Sequence, residues 1–275
     1  MTQLKLCPIR SSSKGNSTLV FCKTTYILID CGISGKLLEG CLRAATLDPS
    51  KIDAIVITHE HSDHIKGVGV VARRFGIPVY ANRSTWQAMQ GQIGSIPEEN
   101  KRIFEEGQSF LINDICVNPF KTSHDAAGPV GFVFSAFGEK VAIATDTGFA
   151  GQEIMSAIMG SHTALIEANY DKNMLEIGSY PYELKCRIKG DRGHLSNDDS
   201  AAVASHLARC GTKKIYLGHL SEENNYPSIA IKTVENKLLE DMVCTEDLQL
   251  SVVLRDGTIE HSRVFCPKSK KKSAV

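Results

Sequence analysis

The sequence predicts an α+β fold, and three observations lead there. The first and last thirds alternate strand-like and helix-like patterns. The middle third reads as successive strands. Polar, metal-capable residues recur where apolar runs end. With 275 residues, 42% hydrophobic and 23% charged, the composition is that of an ordinary globular chain.

Taken in order, residues 4–9, 18–22 and 25–30 read as strands separated by turns. Apolar residues at 37, 38, 41, 42 and 45 give 34–45 a helical spacing. The run DAIVIT, 53–58, is a short strand of the buried type. Residues 65–75 read as a helix interrupted by Gly67 and Gly69, 78–81 as a short strand and 83–90 as a short helix. Strands follow over 110–122, 130–137 and 140–145, with Gly138-Glu139 as the hairpin turn between the last two. Residues 152–159 are helical and 164–167 form a strand. Asn197 or Asp198 caps a helix running to Arg209. Residues 215–217 form a strand and 227–240 a helix opened by Pro227. Strands over 248–254 and 258–264 close a hairpin around Asp256-Gly257. No low-complexity linker interrupts the pattern, so 1–266 is expected to be one domain. The basic end, 267–275, is expected to be a disordered tail.

Lys plus Arg and Asp plus Glu both total 31, a formal net charge of zero. That excludes a protein that coats nucleic acid through its overall charge. No apolar run approaches the ~18 residues of a membrane span. The first residues lack the basic-then-apolar layout of a signal peptide. The expectation is a cytoplasmic protein with no membrane association and no obligate protein partner. The nine cysteines include no Cys-x-x-Cys, so they read as reduced, small core residues, not as disulfides or a thiolate zinc site.

Residues 58–64 read THEHSDH and follow the DAIVIT strand directly. His59, His61, Asp63 and His64 bring three imidazoles and a carboxylate into one strand-end turn, a donor set suited to zinc, manganese or iron. This chain's composition would produce that spacing by chance roughly once in two thousand such sequences. His124, Asp146 and His219 each follow a further strand and complete an ordered set of seven. A turn or capping role is the alternative for each of these three taken alone.

With those residues in place, the sequence resembles the metallo-β-lactamase superfamily over nearly its whole length, from 26–32 through THEHSDH, His124, TDTG and LGHLS. The resemblance implies a four-layer αββα sandwich with two metals between the sheets. It implies that His59, His61 and His124 hold one metal, that Asp63, His64 and His219 hold the other, and that Asp146 bridges both. Asp30 would orient the His-rich loop without binding metal. A bridging aspartate in place of cysteine, and His64 where the zinc β-lactamases commonly have arginine, argue against antibiotic hydrolysis. The thioester-hydrolysing glyoxalase-II branch shares the ligand types. The chain between Asp146 and His219 is too short for the extra domain of the β-CASP nucleases.

His194, in DRGHLSN, and Glu167, ending ALIEA, resemble the acid pair of the phosphodiesterase branch that includes tRNase Z. In that reading Glu167 orients His194, which protonates the leaving oxygen. Helix capping is the alternative for His194, a residue expected to be exposed. The segments SSSKGNSTLV, LIDCGIS, IEANYD, SYPYELKCRI and YLGHLSEENN resemble the YycJ/WalJ-type bacterial subfamily, which is associated with 5′→3′ exonuclease activity on DNA. The expected reaction is attack on phosphorus by a hydroxide bridging two divalent metals, zinc or manganese, with Asp63 orienting it. The expected partner is nucleic acid, DNA first. Tyr170, Tyr180 and Tyr182 with Lys172, Lys185, Arg187, Lys189 and Arg192 suit base stacking and phosphate contact, with an ordinary solvated loop as the alternative. Substrate contacts are expected from Ser12, Asn16, Tyr182, Lys185 and Arg187. A small or cyclic phosphodiester, a thioester or lactone, and a metal-stabilised binding protein without turnover are the rival readings. His162, His206 and His261 receive no role.

Overall fold

The computed structural model describes residues 3–243 and 246–261. The predicted tail over 267–275 and the end of the last predicted strand lie outside them. Two sheets carry the architecture. The first orders β1 (Lys5–Arg10), β2 (Ser17–Phe21), β3 (Tyr26–Ile29), β4 (Ala54–Val56), β5 (Val79–Asn82) and β6 (Lys101–Phe104) side by side. The first three strands pair antiparallel, and pairing from β3 to β6 is parallel. The second sheet holds β7 (Phe110–Ile112), β8 (Ile115–Lys121), β9 (Val130–Ala136), β10 (Glu139–Ala144), β11 (Thr163–Glu167), β12 (Lys214–Gly218), β13 (Gln249–Val253) and β14 (Ile259–His261), also in chain order.

Side-chain alternation builds the layers. Ile27 and Ile29 of β3 face the second sheet, where they join Phe132, Phe134, Val141, Ile143 and Leu165 in the core between the sheets. Leu28 faces the other way, with Ile55 and Ile57, onto α1 (Gly35–Ala44) and α3 (Val68–Phe75) through Leu38, Leu42, Val68 and Val71. On the second sheet Ala142, Ala144, Ile166 and Leu217 face α8 (Asn197–Arg209) and α9 (Pro227–Glu240) through Ala204, Leu207, Val234 and Leu238. The result is a four-layer αββα sandwich, as the resemblance implied. Among the described residues no helix is long and apolar enough to cross a membrane.

Local differences from the sequence reading have local causes. The strand expected over 110–122 is a hairpin, broken at Asn113 in the left-handed region (φ 50°), with Ile112 paired to Ile115. The next hairpin turns on Phe137-Gly138 (φ 54° and 79°), with Ala136 opposite Glu139, one residue earlier than expected. The helix expected over 65–75 starts earlier, as α2 (Ser62–Ile65), and breaks at Gly67, where a Cβ would lie 2.2 Å from Ile33 O. Ser196, not Asn197 or Asp198, caps α8 by accepting from the Asp199 N–H. Residues 170–192 are not a plain loop but carry α6 (Lys172–Ile177) and α7 (Tyr182–Lys189). Of the described cysteines only Cys22 and Cys31 are buried, whereas Cys7 and Cys186 are exposed. The helices α4 (Arg83–Met89) and α5 (Gln152–Ile158) lie where the sequence placed them.

Candidate metal centre

The strands β3, β4, β8, β10, β11 and β12 all run toward one rim, and the chain turns there into the candidate site. Asp30, Asp146 and His219 follow strand ends in the left-handed region at φ 58°, 56° and 56°. Non-glycine residues hold that conformation only where surrounding contacts compensate the strain. Part of the compensation at His219 is visible: Ser11 Oγ accepts its backbone N–H at 2.8 Å, and Asn169 Nδ2 donates to its carbonyl at 2.8 Å.

The seven residues named from the sequence converge. His59, His61 and His124 form one group, and His59, His64 and Asp146 a second. Asp63, His64 and His219 form a third, and Asp146 and His219 join Glu167 and His194 in a fourth. His59 Nε2 and His61 Nδ1 are 3.1 Å apart, and His124 Nε2 lies 3.3 Å from the same His61 nitrogen. His219 Nε2 is 3.3 Å from Asp146 Oδ1, and His64 Nε2 is 3.5 Å from Asp146 Oδ2 and from Asp63 Oδ2.

The outward nitrogens are fixed from behind. His64 Nδ1 donates to Asp30 Oδ2 at 2.8 Å, an oxygen that also accepts from Thr58 Oγ1. His59 Nδ1 lies 3.0 Å from Thr58 Oγ1, and His124 Nδ1 3.1 Å from Gly193 O. Such ties select the tautomer that leaves Nε2 free to ligate. His61 is the exception and presents Nδ1.

Glu167 is fully buried and holds two rings with one oxygen. Its Oε1 accepts from His194 Nδ1 at 2.7 Å and from His219 Nδ1 at 2.8 Å. Its Oε2 accepts from the backbone N–H of Thr147 at 2.9 Å. Sequence reasoning had paired Glu167 with His194 alone. The tie to His219, and those from Ser11, Asn169 and Thr147, carry no signal in a linear motif. His194 itself is only 21% exposed, not the exposed loop residue expected.

The donors suit a cation. Asp146 Oδ2 and His219 Nε2 are buried and make no hydrogen bond, although each lies in this cluster of acceptors and imidazoles. Without a cation the cluster takes up protons instead. Burial pulls His219 down, but Asp146, Asp63 and Glu167 together push its pKa up to about 10. His64 moves well above its ordinary value in the same way, burial opposing and Asp146, Asp63 and Asp30 prevailing. His59 is held well below, by burial and then by His64 and His124. Burial raises the carboxyls of Asp63 and Glu167, yet the neighbouring histidines hold both below the usual range.

The five residues expected to touch substrate divide. Ser12 is buried, and its hydroxyl accepts the Lys14 N–H at 3.3 Å. Asn16 is buried too, and its Nδ2 lies 3.2 Å from Asp63 Oδ2 and 3.0 Å from His64 Nε2, against the centre itself. Tyr182 is exposed, and Lys185 Nζ donates to Glu176 O at 2.6 Å. Arg187 Nε donates to Asp125 Oδ2 at 2.5 Å, and of the five Arg187 alone lines the cavity beside His194.

The family described as the metallo-beta-lactamase superfamily matches this chain over residues 13–219. The chain belongs to that superfamily. It is 41% identical over 232 residues to exodeoxyribonuclease YycJ of Bacillus anthracis, covering 84% of this chain and 88% of that one. It is 42% identical over 234 residues to exodeoxyribonuclease WalJ of Streptococcus pneumoniae, covering 84% and 87%. The metallo-β-lactamase fold protein YhfI from Bacillus subtilis shares the fold at a TM-score of 0.71 and 14% identity, covering 94% of this chain and 99% of that one. The chain is thus a YycJ/WalJ-type metal-dependent hydrolase, and its His/Asp groups fit divalent metal ions.

Proposed function

We propose that the protein is a 5′→3′ exodeoxyribonuclease that works with two divalent cations, manganese or zinc. The observation that carries the reading is the Glu167–His194 pair, 2.7 Å apart, beside the His/Asp cluster. A sugar alkoxide is a strong base and leaves readily only when protonated, whereas a thiolate needs no such donor. The 41–42% identity to proteins named exodeoxyribonucleases supports DNA as the substrate.

In this reading His59, His61 and His124 would hold one cation and Asp63, His64 and His219 the other, with Asp146 shared between them. The second set, richer in carboxylate oxygen, tolerates manganese better than the first. When bound, the cations supply an activated water and neutralise charge on the phosphoryl oxygens. Asp63, with 23% of its side chain exposed, would orient the attacking water. His194 gives its proton to the departing 3′ oxygen, and Glu167, accepting from Nδ1, orients the ring and stabilises its doubly protonated, cationic form. A DNA substrate agrees with the cytoplasmic location expected from the sequence.

One observation favours a small phosphodiester as the second reading. Two lysines of the segment expected to contact nucleic acid are engaged by the chain itself: Lys189 by Glu176 and Lys172 by Asp198. The test is cleavage of 5′-phosphorylated duplex DNA in Mn²⁺, with chelator and His59→Ala controls. Stepwise mononucleotide release from the 5′ end, lost in both controls, is expected. No cleavage by a protein carrying two metals would overturn the nuclease reading in favour of a small phosphodiester or a thioester.

A further inference from the structure

We infer that the cavity beside His194 is the subsite for one nucleoside 5′-monophosphate, the terminal nucleotide of a DNA strand, and that α7 forms one of its walls. The inference rests on the exonuclease reading and adds the subsite that makes cleavage end-directed. The cavity has a volume of about 190 Å³ and has Gly193 and His194 in its wall.

Chemistry decides which part of the substrate lies there. Cleavage from the 5′ end breaks the bond between phosphorus and the 3′ oxygen of the first nucleotide. Water oxygen bonds to phosphorus and its proton passes to solvent, while the His194 proton goes to the 3′ oxygen. The leaving fragment is one nucleotide with its own 5′-phosphate, and it must sit on the His194 side.

The walls match that fragment. Leu184, Arg187 and Ile188 of α7 line the cavity at the i, i+3, i+4 spacing of one helix face. Tyr180, half-buried just before α7, offers a ring, and Leu184 and Ile188 offer aliphatic surface to a base. Arg187 lines the cavity as its cation. Among the described residues only its Nε is engaged, by Asp125, so its terminal nitrogens can take a phosphate. Ser13, exposed, lines the cavity from the opposite loop.

Size limits the length of the fragment held there. The volume falls below the roughly 300–1,000 Å³ of pockets that enclose a drug-sized ligand, so the cavity seats part of a single nucleotide, its base against Tyr180, Leu184 and Ile188, and has no room for a second. The α7 wall is tied down by Lys185 Nζ to Glu176 O at 2.6 Å and by Lys189 Nζ to Glu176 Oε2 at 2.9 Å.

The experiment measures thymidine 5′-monophosphate binding by calorimetry on the metal-loaded protein and on Leu184→Trp and Tyr180→Ala. Metal content, melting curves and product lengths from 5′-phosphorylated duplex DNA are read on the same samples. Loss of a stacked base predicts roughly 5- to 150-fold weaker binding in Tyr180→Ala. Leu184→Trp, which fills the cavity, is expected to weaken binding at least tenfold and to suppress mononucleotide release. Should it fail to fold, Tyr180→Ala carries the test. Wild-type affinity in the folded variants, or no binding by the parent protein, would overturn the pocket even if DNA is cleaved. Binding that depends on these residues in a protein that cleaves no DNA would support the pocket and reject the exonuclease reading.

Discussion

Replacing Glu167 with glutamine removes one buried charge and leaves the side-chain shape intact. The carboxylate accepts hydrogen bonds at both oxygens, from His194 and His219 at one and from Thr147 N–H at the other. A glutamine offers one acceptor and one donor. With its carbonyl toward the rings, its amide meets the Thr147 N–H, donor against donor. With its amide toward the rings, both Nδ1 atoms must accept, and each ring proton moves to Nε2. That is the nitrogen His219 needs free for a metal. Changes behind metal ligands typically cost 10–100-fold in affinity, about 1.4–2.7 kcal/mol. Turnover at saturating metal is expected to fall by about 10²–10⁴-fold, or about 2.7–5.4 kcal/mol of barrier, because His194 loses the carboxylate that stabilises its cationic, proton-donating form. A manganese titration and a turnover assay at saturation separate the two effects. Metal affinity within twofold and turnover within threefold of the parent protein would refute the argument that one oxygen sets both rings.

Changing His194→Ala is expected to keep metal affinity and lower turnover by about 10²–10⁴-fold, and unchanged turnover would remove the acid assignment. Asp146→Ala is expected to lose bound metal and activity together, so elemental analysis showing full metal content would contradict its shared role. In chelator, His219 keeps its proton up to about pH 10 when folded, against an ordinary value near 6.5 when unfolded. Its stabilisation is complete below about pH 6.5 and is lost as pH rises through about 10, so the Tm of the metal-free protein should fall across that window. The increment from added metal should grow over the same range, because ligands must shed protons to bind, and a metal-free Tm that rises with pH would refute this. Gly32→Ala places a Cβ 1.6 Å from Asp63 O, so thermal melting should show a loss of about 1–3 kcal/mol or more, with weakened metal binding.

The residues of the centre were legible in the sequence because each announces itself locally: an apolar run of strand type, then a histidine or aspartate at its exit. The same local logic placed α9 on its residues and most strands within a residue or two, because hydrophobic period is written into consecutive positions. Other elements carried weak patterns. The edge strand β6 reads KRIF between charged neighbours. The helices α6 and α7 have six and eight residues, too few for periodicity to separate them from a loop. Ser12, expected from the sequence to contact substrate, is buried by the fold.

Chain chemistry alone therefore settled which side chains are able to bind metal and that strands deliver them. Tertiary structure alone decided how they are aimed. Glu167 meets His219 across 52 residues, and Ser11 meets the His219 backbone across 208. No local pattern encodes such pairs, because β11 lying beside β12, and the rim of one sheet meeting that of the other, join residues regardless of distance along the chain. A buried acceptor then fixes each ring that reaches it, since leaving that donor unpaired away from water would cost about 1–3 kcal/mol.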